Sequence, residues 1–176
     1  MTGREGFILA TGSRTAPPWL RDEVHTRLTE LSEDARSNHG VQRLTVVHGA
    51  AAGVDTDGRV WAHRDHGWPV GHKAFPAIWA GPCDPARCTP GHRRTREDGS
   101  DWCPAQGSYR NGAMATYLHR QYHDLGAWVQ VAAFYRMPNS VGTLDCVRQA
   151  RTLRLPVLEY GNAPRTGTEE PGETLF

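Results

Sequence analysis

The reading of this chain turns on FILATGSR at residues 7–14: a short apolar run, FILAT, ends at Gly12 and passes into Ser13 and Arg14. Downstream, residues 19–36 carry apolar side chains at Leu20, Val24, Leu28 and Leu31, the spacing of an amphipathic helix. A strand that feeds a helix is the unit of an α/β fold, and the unit recurs. Residues 44–47 form a second apolar strand that ends in HGAAAGVD (48–55), residues 54–66 read as a helix, and 69–75 as a third strand. After an interruption at 80–107, helical periodicity returns over 110–125, and WVQVAAFY (128–135) is the most apolar strand. NSVGT (139–143) opens a helix that runs to Arg154, and 156–160 is a last strand. Strands alternating with helices predict a Rossmann-like, mostly parallel sheet with helices on both faces. The expected organisation is one domain over residues 1–161, with the Cys/His-rich insertion at 80–107 and a flexible tail at 162–176 that lacks periodicity.

A length of 176 residues suits one domain with a core of its own. The net charge of +1 and pI near 7.8 create no overall field for nucleic acid or an anionic membrane. No apolar run approaches a bilayer span, and the hydrophobic stretch near the N-terminus is too short for a signal peptide, so the expected location is cytoplasmic, with no membrane partner. Every basic residue except Lys73 is arginine. This bias carries no functional weight here, although arginine suits bidentate phosphate contacts.

Three strand ends carry small or turn-forming residues: Gly12-Ser13-Arg14, His48 to Asp55, and Asn139 to Thr143. In an open parallel sheet all three fall on the edge where ligands bind, beside helix N-termini whose free N–H groups suit phosphate. The expected pocket comprises Gly12, Ser13, Arg14, Gly49, Gly53, Asp55, Arg110, Asn111, Ser140, Gly142 and Thr143. Ser140 and Thr143 offer hydroxyls. Arg14 is either a phosphate clamp or a solvated surface residue. Asp55 either binds a ribose hydroxyl or caps the following helix. Arg110 and Asn111 are expected to open a helix whose start faces the same pocket.

TGSR (11–14), HGAAAGVD (48–55), FPAIW (75–79), YRNGAM (109–114) and NSVGTLD (139–145), taken in that order, resemble the YspA-like, cpYpsA-related branch of the SLOG superfamily over roughly residues 7–160. The resemblance implies a Rossmannoid fold and a nucleotide-related ligand. That superfamily also holds lonely-guy phosphoribohydrolases, the DNA-processing protein DprA and sensors of nucleotide signals. The phosphoribohydrolases carry PGGxGTxxE; this chain reads PNSVGTLDC, with Asn139 and Ser140 for the glycine pair and no glutamate in place.

Within the insertion, Cys83, Cys88, His92 and Cys103 are separated by four, three and ten residues. Three thiolates and an imidazole suit a tetrahedral structural zinc, which would supply folding energy that the polar stretch HRRTREDGSDW lacks. The alternative is a flexible loop with incidental reduced thiols. Cys146 reads as a small core residue, and His48 as a ligand contact or a hydrogen-bonded scaffold residue.

The expected function is binding of a nucleotide or nucleotide-derived ligand, as sensor, sequestering protein or signalling component, with self-association into a homo-oligomer left open. A hydrolase of an N-glycosidic bond is the alternative, with Asp145 and Asp55 as its carboxylates and Asp145 placed in the first turn of its helix. A DprA-like nucleic-acid module is disfavoured by the neutral charge.

Overall fold

A computed structural model describes residues 3–138 and 140–162. The main sheet has five parallel strands in the order β3-β2-β1-β6-β7: β1 (Arg4–Gly12), β2 (Val41–His48), β3 (Val70–Ala74), β6 (Trp128–Tyr135) and β7 (Val157–Gly161). Helices α1 (Pro18–His39), α2 (Val54–Ala62), α3 (Gln106–His119) and α4 (Val141–Thr152) cover it, and a two-residue antiparallel hairpin, β4 (Arg94–Thr95) with β5 (Asp101–Trp102), lies in the insertion. Among the described residues no helix is long and apolar enough to cross a membrane.

Central strand β1 shows why the apolar run is continuous rather than alternating. Ile8 and Ala10 pack with Leu20, Val24 and Leu28 of α1 and with Val54 and Trp61 of α2. Phe7 and Leu9 point the other way, against Met114 and Leu118 of α3 and Cys146 and Ala150 of α4. Both faces are thus buried, which a parallel sheet under two helical layers requires. Cys146 lies wholly in this core, and burial pushes its thiol up to about 12.

The chain builds outward from β1 through β2 to β3, then crosses back to lay β6 on the other side of β1. The switch point of the sheet therefore lies between the carboxyl ends of β1 and β6, where open α/β sheets form ligand crevices.

Three boundaries differ from the sequence-based expectation. Helix α3 begins at Gln106 rather than Arg110, because the Gln106 N–H donates to Cys103 O and its side chain donates to Pro82 O, so the insertion winds straight into the helix. Helix α2 stops at Ala62, where the His66 ring bonds the Trp61 carbonyl and the chain turns at Gly67. In α2 Val54, Asp57 and Trp61 are buried while Val60 is exposed, and Asp57 is paired with Arg21 at 3.2 Å. Asn162, first residue of the expected tail, is bonded to Tyr135 O and Met137 N; residues 163–176 and Asn139 lie outside the described residues.

Candidate functional site

A cleft of about 900 Å³ opens at the switch point. Nine of the expected pocket residues line it: Gly12, Ser13, Arg14, Asp55, Arg110, Asn111, Ser140, Gly142 and Thr143, together with Asp145. Gly49 borders an adjoining cavity of about 490 Å³ instead, and Gly53 lines neither. The role of Gly53 is in the backbone. Its φ of 75° starts α2, and a β-carbon there would run into the carbonyl oxygens of Ser13 and Arg14.

The floor is a hydroxyl clasp joining two strand ends. Ser13 Oγ and Ser140 Oγ lie 2.6 Å apart, the Arg136 N–H points to both, and Ser140 Oγ donates to Arg136 O at 3.1 Å. The Ser140 proton expected for a ligand is therefore engaged within the protein. Ser140 also precedes α4, whose first residues Val141, Gly142 and Thr143 all line the cleft. Their N–H groups have no earlier helical carbonyl to bond, and the helix dipole adds partial positive charge. At Gly142 the space a side chain would fill is open.

Asp55 does not cap its own helix. Its carboxylate reaches back to accept from Gly49 N at 2.9 Å and Ala51 N at 3.2 Å, bracing the HGAAAGVD loop, with Arg110 3.9 Å away. Burial pushes its carboxyl up, against the opposing pull of the Ala51 N–H and the Arg110 charge. Arg110 donates to the Gly49 carbonyl, so a side chain at 49 would strike its guanidinium. His48 is a scaffold residue: Nδ1 accepts from Ala50 N, leaving Nε2–H for His72 Nδ1 at 3.1 Å. Burial and the neighbouring His72 lower its pKa to about 4, which keeps it neutral.

Asn111 ties α3 to α4. Its amide donates to Gly142 O at 3.2 Å and Asp145 Oδ2 at 2.9 Å, while its oxygen accepts from Arg110 Nε at 3.1 Å. Asp145 stands at the fifth helical position, past the first turn that the sequence suggested, because α4 begins at Val141. Burial opposes its charge, but hydrogen bonds from Asn111, Gln149, Ser108 and Arg148 outweigh it and hold the carboxyl below the usual range.

In the insertion, Cys83, Cys88, His92 and Cys103 bring their four ligand atoms within 4.8 Å of one another, an arrangement that can hold a metal ion. Cys88 Sγ and Cys103 Sγ are 3.8 Å apart, and His92 Nε2 lies 3.3 Å from Cys83 Sγ and 3.1 Å from Cys103 Sγ. A tetrahedral ion with metal–sulfur bonds of about 2.3 Å spaces its sulfurs about 3.8 Å apart. His92 Nδ1 donates to Thr89 O at 2.7 Å, which leaves Nε2 with the lone pair a metal needs. The cluster is fastened to the site: Cys88 Sγ meets Tyr109 Oη of α3 at 2.7 Å, and Cys103 N donates to Trp79 O.

Trp79, Arg136 and Arg148 also line the cleft. Trp79 closes the FPAIW stretch, whereas nothing in the local pattern of the two arginines marked them, because each arrives from a different segment. The Arg14 guanidinium lies 5.6 Å over the Trp79 ring, an association invisible at 65 residues' separation.

No family model matches this chain. It is 28% identical over 165 residues to the "Gene 61 protein" of Mycobacterium phage D29, an alignment that covers 89% of this chain and 98% of the phage protein.

Proposed function

We propose that this protein binds a nucleotide or nucleotide-derived ligand in the switch-point cleft, as a sensor, sequestering protein or signalling component, and holds zinc in its insertion. The observation that carries the reading is the convergence on one cleft of the α4 first turn with the exposed guanidiniums of Arg14 and Arg136, neither of which has an acidic partner among the described residues. Backbone N–H groups, a helix dipole and uncommitted arginines are the means by which proteins hold phosphate. Trp79, Pro104 and Gly107 give the same cleft an apolar wall suited to a base. Three thiolates with one imidazole in a closed set favour zinc in a structural role.

Arg14 tests the reading, since it is exposed, lines the cleft and has no acidic partner among the described residues. Calorimetric titration with AMP and ADP should show Arg14→Ala binding at least tenfold more weakly than wild type with little change in melting temperature; equal binding removes the phosphate role. A hydrolytic reading has one supporting feature, the ionised Asp145 on the cleft wall. Against it, both Asp145 oxygens are engaged, Oδ1 by Arg148 and Oδ2 by Asn111 and Gln149. Release of free base that vanishes in Asp145→Asn would favour turnover.

A further inference from the structure

We propose that the ligand is a dinucleotide, two aromatic heterocycles joined through phosphates, and that the hairpin β4–β5 supplies the subsite for the second base. This rests on the nucleotide reading above and extends it. The adjoining cavity of about 490 Å³ shares Arg14, Ala51, Trp79 and Arg110 with the main cleft, so the two spaces meet along one wall. That wall places two guanidiniums where a linker between the halves must pass. Arg110 is already committed to Gly49 O and Asp55, whereas Arg14 has no acidic partner among the described residues. The junction therefore carries positive charge for a linking pyrophosphate.

Beyond the junction the cavity is built for a flat ring. Trp79 and Trp102 stand edge to face, with centroids 5.7 Å apart and planes at 76°, and both are only half-buried. Arg94 and Arg96 each place a guanidinium 5.8 Å from the Trp102 ring. Among the described residues no acidic side chain lines this cavity. Arginines beside half-buried indoles form a stacking platform for bases, and one stacked base is worth roughly tenfold or more in affinity. Of the two indoles Trp79 borders both spaces, whereas Trp102, like Arg96, borders the second alone. A mononucleotide in the main cleft leaves this platform bare.

Calorimetric titration of the purified, metal-containing protein with AMP, ADP-ribose, NAD+ and diadenosine diphosphate separates the two readings. ADP-ribose carries the pyrophosphate and second ribose of NAD+ without the second base. We expect a dinucleotide to bind at least tenfold more tightly than ADP-ribose. That advantage should disappear in Trp102→Leu and Arg96→Gln, with AMP affinity unchanged in both. Arg96 is exposed and among the described residues its side chain hydrogen-bonds Ser100 alone, so Arg96→Gln tests the platform even where Trp102→Leu unsettles the hairpin. Equal affinity for ADP-ribose and both dinucleotides overturns the second subsite and leaves the nucleotide reading standing. Binding of none of the four overturns both. Displacement of NAD+ by a single-stranded oligothymidylate at lower concentration than by diadenosine diphosphate also overturns the proposal, in favour of a nucleic-acid strand.

Discussion

Replacing Asn111 by alanine separates a brace from a ligand contact. The side chain is 3% exposed and makes three hydrogen bonds, to Gly142 O, Asp145 Oδ2 and Arg110 Nε. The neutral bond is worth about 1 kcal/mol and each bond to a charged partner about 1.5–3 kcal/mol. Not all of this is lost. Asp145 keeps Gln149 and Arg148, and the side chains of Asp145 and Arg110 are 16% and 12% exposed, so water re-enters at both. The expected loss is about 3 kcal/mol. For a chain of this size that lowers the melting temperature by about 6–12 °C. Urea unfolding followed by circular dichroism measures it directly. A loss under about 1 kcal/mol together with a selective loss of nucleotide binding would refute the brace and return Asn111 to the ligand.

Gly53→Ala should cost more than about 2 kcal/mol in thermal unfolding, since its left-handed backbone and the carbonyls of Ser13 and Arg14 leave no room for a β-carbon. Two carboxylates should pull the acid limb of stability in opposite directions. The Asp145 carboxyl is held low, so its contribution is full above the ordinary value of 3.8 and is lost as pH falls through the folded value; Asp145→Asn should flatten that limb below pH 3.8. The Asp55 carboxyl is pushed up by burial, so it gains stability as pH falls from its folded value towards 3.8. Cys88→Ser with Cys103→Ser should reduce metal content by elemental analysis from one zinc per chain to near zero. The same variant should raise amide exchange at the start of α3, where Cys103 and Tyr109 attach the cluster.

The architecture was legible because its signals are local. FILAT, residues 44–47 and WVQVAAFY are apolar without alternation because both faces of each strand are covered, and the spacing of Leu20, Val24, Leu28 and Leu31 records one buried helix face. The Cys/His cluster was equally legible, since its four residues fall within one short insertion and their donor types suit a metal ion.

Which polar side chains of the cleft bond within the protein was decided only by the fold. Arg110 and Asn111 sit at the cleft, yet their polar atoms bond Gly49, Gly142 and Asp145. Asp55 turns back to its own loop, and Ser140 closes on Ser13 across 127 residues of sequence. The Trp79–Trp102 pair and the arginines around it come from four separate segments. Periodicity and motif spacing report which surface of an element is buried and which residue types lie near one another in the chain. A hydrogen bond depends on the distance and angle between atoms that distant segments deliver, so the partner of a buried polar group, and with it the choice between brace and binding site, is decided when the sheet closes.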